Sequence, residues 1–365
     1  METIIKKIDS NDMTSDDFRE AAALLRDGKL VAFPTETVYG LGGNAYDSTA
    51  SARIYAAKGR PSDNPLIVHI SSFDEITPLV KDIPGKARAL ADKFWPGPLT
   101  MILFKSDKVP KETTGGLDTV AIRMPSHPIA NRLIKEAGIP IAAPSANASG
   151  RPSTTKAEHV IEDLDGRIDM IIDGGSSDIG LESTIVDLTV SPALILRPGY
   201  ITIEMLREVI PDIEYDKAVL KRIKDDTIVA KAPGMKYRHY APKGELTIYE
   251  GEISSVSKAI NEAAKEKLDA GFSVGILTSD ELAGSYAALK ECATQSTHCE
   301  SSIYIKDIGS RENEEEIAAG LFDALRYFDE VKADYIYAES FVEGGLGQAI
   351  MNRLMKAAGY HIIEV

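Results

Sequence analysis

The 365-residue chain contains only two cysteines, Cys292 and Cys299, and a single tryptophan. Two thiols without a matching histidine pattern make neither a disulfide framework nor a metal knuckle, so free thiols are expected. There is no run of about 18 apolar residues, which excludes a membrane-spanning helix. The opening Met1-Glu2-Thr3-Ile4-Ile5-Lys6-Lys7 lacks the apolar core of a secretion signal, and a cytoplasmic location is expected. Basic residues are in deficit, 41 against 56 acidic ones, for a net charge of -15. From residue 241 onward there are 11 Lys and Arg against 22 Asp and Glu, whereas the preceding residues hold 30 against 34. Such a tail repels polyphosphates, so stable nucleic-acid binding is not expected. No G-x-x-x-x-G-K-[ST] loop and no nucleophile elbow occurs, so neither Walker-type nucleotide binding nor serine-hydrolase chemistry is indicated.

What the chain does have is enough length for two domains and the composition of a soluble globular protein, 44% hydrophobic and 27% charged. Apolar runs predict strands at 30–33, 66–70, 99–104, 120–123, 139–142, 170–173, 184–187 and 193–197. Helical spacing appears at 14–28, 48–57, 84–94, 127–137, 155–164 and 202–210. This mixture predicts an α/β domain over residues 1–210. Residues 211–243 lack a sustained apolar period and contain Pro233, Gly234 and Pro242, which reads as a linker. Beyond it, strands at 245–249, 272–278, 302–305, 334–338 and 361–365 alternate with helices near 254–270, 281–292, 313–331 and 347–358. That alternation predicts a smaller doubly wound parallel domain over 244–365. Gly344-Gly345-Leu346-Gly347 reads as a glycine-rich turn there, since no acidic strand follows to complete a dinucleotide site.

Three polar loops leave apolar strands. The first is Pro34-Thr35-Glu36-Thr37-Val38-Tyr39-Gly40-Leu41-Gly42; the second runs from Lys58-Gly59-Arg60 through Asn64 to His69; the third is Ala143-Pro144-Ser145-Ala146-Asn147 and its continuation to Ser153. Cations, hydroxyls and amides at three strand ends point to one pocket for an anionic ligand. Each feature also has a plainer reading. Lys58 and Arg60 suit a helix C-terminus, Ser145 and Asn147 suit a turn, Arg197 suits a structural ion pair, and His69 suits a hydrogen-bonded core histidine. Glu36, Glu182 and Asp187 are carboxylates near these loops, but their spacing defines no metal ligand set.

The Thr-Glu-Thr-Val-Tyr-Gly-Leu segment, Lys58-x-Arg60, Ser145-x-Asn147, Arg123-Met124-Pro125, Gly180 to Asp187, Leu196-Arg197-Pro198-Gly199 and Ala232 to Pro242 together resemble the YrdC-type threonylcarbamoyl-AMP synthases. The last segment and the tail mark their long, two-domain form. The resemblance implies a YrdC-like catalytic domain with a twisted mixed sheet, followed by a Rossmann-like domain. It also implies synthesis of L-threonylcarbamoyladenylate from L-threonine, bicarbonate or CO2, and ATP, with release of pyrophosphate. That product serves N6-threonylcarbamoyladenosine formation at A37 of ANN-decoding tRNAs, completed by a separate transferase machinery.

By the same resemblance, Lys58 and Arg60 are catalytic. ATP is implied to contact them together with Asn64, Thr119, Ser145, Asn147, Ser153, Arg197, His239 and Tyr240. L-Threonine is implied to contact Thr35, Thr37, His69, Arg123, Ala143 and Ser183, and Mg2+ to accompany ATP. The cations and aromatics of Lys236, Tyr237, Arg238, His239 and Tyr240 suggest a lid over the pocket. Two further classes of function stand beside this one. A non-catalytic double-stranded RNA or tRNA binder conflicts with the charge distribution, and a carbamoyl-transfer module lacks the zinc-finger cysteines it would normally carry.

Overall fold

The computed structural model describes residues 2–220, 232, 233, 239–290, 302–341 and 344–365. The chain divides into two compact units. Up to residue 220, apart from Gly150–Pro152, it forms the first, joined by Ala232 and Pro233; Gly150–Pro152 and the residues from 239 onward form the second.

The first unit is built on an 11-stranded mixed sheet. Its strands in chain order are β1 (Ile4–Lys7), β2 (Val31–Phe33), β3 (Gly40–Asn44), β4 (Ile67–His69), β5 (Leu99–Phe104), β6 (Thr119–Arg123), β7 (Ile141–Ala143), β8 (Met170–Asp173), β9 (Thr184–Asp187), β10 (Leu194–Arg197) and β11 (Glu214–Tyr215). Across the sheet they run β1-β8-β2-β3-β7-β4-β6-β5-β9-β10-β11. Alternating side chains divide between two cores. On one face, Ala32, Val68, Met101, Ile122, Ala142 and Ile171 join the larger cluster. On the other, Val31, Phe33, Ile141, Ala143, Met170 and Ile172 pack against Phe18 and Leu25 of helix Ser15–Arg26 and Leu133 of helix Pro128–Ala137. Farther along that second face only a small group remains, Ile67, Ile102, Ala121, Ile185, Leu196 and Ala232. Alternation puts His69, Arg123 and Thr100 on this more thinly covered part, where polar side chains cross the sheet.

Several elements of the first unit differ from the sequence expectation. Residues 40–44, read as the end of a loop, form strand β3, antiparallel to both β2 and β7. Its Gly-Leu-Gly-Gly-Asn sequence has poor strand propensity, but the glycines are required by close packing: a Cβ at Gly42 would lie 2.8 Å from both Ile141 and Phe33. Strand β1 was not anticipated either; it adds parallel to β8 at the sheet edge with mostly exposed side chains, so no burial pattern announces it. Within 211–243, β11 pairs with β10 and Lys217–Leu220 forms a helical turn.

The second unit has five parallel strands: β12 (Glu245–Glu250), β13 (Val274–Thr278), β14 (Ile303–Asp307), β15 (Tyr335–Glu339) and β16 (Ile362–Glu364). Their order is β14-β13-β15-β12-β16, which is the expected doubly wound arrangement. Helices Ile253–Asp269, Glu314–Glu330 and Gly347–Ala357 connect them. The helix expected over 281–292 is interrupted: a short helix, Asp280–Ala283, passes into a 3-10 turn through Tyr286, residues 288–290 are helical again, and 291 and 292 lie outside the described residues. Cys292 and Cys299 lie outside the described residues. The glycine-rich turn holds, with Gly344 and Gly345 at positive φ. The N–H groups of Leu346 and Gly347 that follow are capped by the Glu314 carboxylate at 3.0 and 3.1 Å.

Candidate active site

The register of β4, β6 and β5 creates the site's central row. His69 stands opposite Arg123, and Arg123 opposite Thr100. Arg123 is the hub of a buried polar cluster. Its Nη1 donates to Thr37 Oγ1 at 2.8 Å, its Nη2 lies 2.7 Å from Glu36 Oε1, and its Nε reaches the Gly97 carbonyl at 3.4 Å. The Thr35 and Thr37 hydroxyls meet at 2.9 Å, and Thr35 Oγ1 also donates to the Val38 carbonyl at 2.6 Å, fixing the loop after β2 as a turn.

Burial pushes the Glu36 carboxyl up, but the Arg123 guanidinium together with the backbone N–H groups of Ser126 and Glu36 holds it below the usual carboxylate range. His69 is fully buried; burial and then the positive charge of Arg123 lower it to about 3, so it is neutral near pH 7. Its Nδ1 meets the Ile67 carbonyl at 3.1 Å and its ring packs edge-on against Phe33. His69 therefore has the hydrogen bond of a core histidine while standing beside the arginine of the site. Ala143 ends β7, paired with Ile67 of β4.

Ser183, just before β9, joins this cluster to Arg197. Thr100 Oγ1 lies 2.8 Å from Ser183 Oγ, while Arg197 donates Nε to the Ser183 carbonyl at 3.0 Å and Nη2 to its Oγ at 3.1 Å. Neither Thr100 nor the Gly97 carbonyl stood out in the sequence; an isolated threonine inside an apolar strand carries no motif, and a backbone carbonyl carries none at all.

The second cluster gathers around Lys58, at the end of helix Ser48–Lys58. Its buried ammonium donates to the carbonyls of Ser145 and Asn147, while the Lys58 carbonyl accepts from Ser149 N at 2.8 Å. Ser145 Oγ donates to Asn147 Oδ1 at 2.5 Å. The bridge between Gly40 and Ser145 ties this loop to β3. Arg60 is half-buried and donates to the Pro65 carbonyl at 3.3 Å. Asn64 is buried, with its side-chain carbonyl unmet among the described residues. Thr119 is half-buried at the start of β6.

The carboxylates left open by the sequence are each engaged. Ser153 Oγ donates to Glu182 Oε1 at 2.5 Å, Glu36 faces Arg123, and Asp187 accepts from the backbone and hydroxyl of Thr189 at 2.9 and 2.6 Å. Among the described residues, no group of three or more His, Cys, Asp or Glu side chains is arranged to hold a metal ion.

His239 and Tyr240 belong to the second unit. The Tyr240 ring lies between those of His239 and Phe322, at centroid distances of 5.6 and 5.1 Å, with the Arg353 guanidinium 5.9 Å from it. Lys236, Tyr237 and Arg238, the remainder of the expected lid, lie outside the described residues.

Comparison with known proteins accounts for both units. Residues 23–199 match the Sua5/YciO/YrdC family model, described as telomere recombination, and residues 201–359 match that of the threonylcarbamoyl-AMP synthase C-terminal domain. A threonylcarbamoyl-AMP synthase of Pyrococcus abyssi is 51% identical, covering 95% of each chain. One of Bacillus subtilis is also 51% identical, covering 94% of each. The solved structure of P. abyssi Sua5 complexed with L-threonine matches at 47% identity with a TM-score of 0.88, covering all of both chains. A double-alanine variant of the same P. abyssi protein matches at 48% with the same score. The chain belongs to the threonylcarbamoyl-AMP synthase family in its two-domain form, and it is an enzyme.

Proposed function

We propose that the two clusters are the amino-acid and nucleotide subsites of one reaction centre, which makes L-threonylcarbamoyladenylate from L-threonine, bicarbonate or CO2, and ATP, releasing pyrophosphate. The observation that carries this reading is Ser183: its hydroxyl meets Thr100, which pairs in register with Arg123, and it also receives Arg197. Arg123, Thr35, Thr37, His69, Ala143 and Ser183 take threonine. Lys58, Arg60, Asn64, Thr119, Ser145, Asn147, Ser153 and Arg197 take ATP.

An amine carbamate is short-lived in water, so its oxygen must be held near the α-phosphorus with solvent excluded. The burial of Thr37, His69 and Arg123 supports exclusion. Lys58 and Arg60 offset the charge that develops as pyrophosphate leaves. With Lys58 already bound to two loop carbonyls, one side chain both shapes the nucleotide loop and sets its potential. Catalysis rests on positioning, with no protein nucleophile. Mg2+ brought with ATP would offset phosphate charge while asking for few protein ligands. The product passes to a tRNA threonylcarbamoyl transferase, in the cytoplasm. The tRNA-binding alternative is not favoured by relatives that carry the synthase name over nearly their whole length.

The test is to follow pyrophosphate from the purified protein with ATP. Release is expected only with L-threonine and bicarbonate together. Equal release without threonine would overturn the reading.

A further inference from the structure

Glu36 is a buried carboxylate that none of the subsites above uses. Its side chain is 7% exposed and that of its partner Arg123 is 5% exposed. Neither Glu36 oxygen accepts a well-aligned hydrogen bond among the described residues. What holds the ionised form is chiefly the charge of Arg123 at 2.7 Å, together with the backbone N–H of Ser126. A buried charge without its full complement of hydrogen bonds is costly and is retained where something else satisfies it.

We propose that Glu36 determines specificity in the amino-acid subsite by receiving the substrate's ammonium group, so that Glu36 and Arg123 together select a zwitterionic α-amino acid over the same acid without its amine. This inference rests on the placement of threonine at Arg123. In an α-amino acid the ammonium and carboxylate are separated by one carbon, so both charges can address two protein groups that themselves touch. A carboxylate alone would bring a second buried negative charge beside Glu36, and only Arg123 would oppose the two. The zwitterion adds no net charge, and its ammonium supplies the donors that the Glu36 oxygens lack. The nearby histidines do not take this part: burial lowers both His69 and His127, leaving them neutral near pH 7, and Asp178 adds a further negative charge beside His127.

The experiment compares L-threonine with 3-hydroxybutyrate, which is threonine carrying hydrogen in place of the amine, by calorimetry on the full chain and on Glu36→Gln. The variant should bind threonine roughly ten-fold or more weakly, as for loss of a charge-assisted pair. Its affinity for 3-hydroxybutyrate should be unchanged or higher, so the preference between the two ligands collapses. Equal weakening of both ligands would reduce Glu36 to an orienting partner of Arg123, and unchanged threonine affinity would remove it from the subsite; either result overturns the inference. If Glu36→Gln does not fold, Glu36→Asp is the second variant, expected to narrow the preference in the same direction because its shorter arm draws the carboxylate back. Arg123→Ala separates the two levels of argument. If it binds threonine normally, the amino-acid subsite itself is misplaced; if it loses threonine while Glu36→Gln keeps the wild-type preference, only the role of Glu36 fails.

Discussion

Arg197 grips Ser183 twice, through Nε to its carbonyl at 3.0 Å and through Nη2 to its hydroxyl at 3.1 Å. Because the same hydroxyl meets Thr100 at 2.8 Å, Ser183 links Arg197 to the row of Thr100 and Arg123, the two halves of the proposed reaction centre. Ser183→Ala should therefore weaken binding of threonine and of ATP alike, each by about 1 kcal/mol, the typical net value of a hydrogen bond. Separate titrations check this, and an effect confined to one ligand would show that the two subsites are not joined through this residue.

The two cations should separate the subsites that Ser183 joins. Arg123→Ala is expected to raise the threonine dissociation constant by roughly ten-fold to a hundred-fold, the loss of a charge-assisted pair of about 1.5 to 3 kcal/mol, with ATP affinity little changed. Lys58→Ala should do the reverse. It also leaves the carbonyls of Ser145 and Asn147 without their ammonium donor, so the nucleotide loop should show faster amide exchange. A normal threonine affinity in Arg123→Ala, with ATP binding lost, would reverse the assignment.

These contacts also show what was and was not legible beforehand. The runs at 99–104, 170–173 and 184–187 agree with β5, β8 and β9 because each holds a compact apolar core, residues 101–104, 170–172 and 185–186. The polar loops were legible as a pocket because cations and amides at strand ends have little structural reason to cluster. In the sequence Glu36 reads only as a carboxylate near the loops, because nothing there signals that residue 123 turns its guanidinium towards it across the sheet. Asp187 is local in a way its sequence does not show: its Oδ1 caps the turn at Thr189, accepting from that residue's backbone N–H and hydroxyl. Strand β3 was hidden by its glycines, whose positions are dictated by neighbours distant in sequence.

Gly199 offers a test of how tightly the site is built. A Cβ there would lie 2.6 Å from Thr184 N and 2.8 Å from the Glu182 carbonyl, so the clash is with backbone on either side of Ser183. Flexible side chains cannot relieve it. Gly199→Ala should cost about 1 to 3 kcal/mol of stability, as overpacking does, and should lower the affinity for both substrates by displacing Ser183. Urea denaturation and calorimetry check the two effects. A variant of normal stability with normal affinities would mean that the 182–184 backbone moves aside freely.

His69 should make the protein sensitive to mild acid. Burial, then Arg123, lowers it from an ordinary 6.5 to about 3, so in the fold it stays neutral where the unfolded chain would bind a proton. The unfolded state therefore takes up more protons between those values, and stability falls as pH drops from about 6.5 towards 3. At pH 5 the cost is about 2 kcal/mol relative to pH 8, from 1.36 kcal/mol for each unit below 6.5. His127, also lowered by burial, acts in the same direction over an overlapping range. The lowered Glu36 carboxyl adds to the loss only below its ordinary value of 4.5, where the unfolded chain begins to protonate it. Urea midpoints measured from pH 8 to pH 5 should decline for the native chain and decline less steeply for His69→Asn, with His127 supplying part of the remaining slope. An unchanged slope in His69→Asn would mean that His69 is protonated in the fold, and that Arg123 does not share its charge with a neutral imidazole.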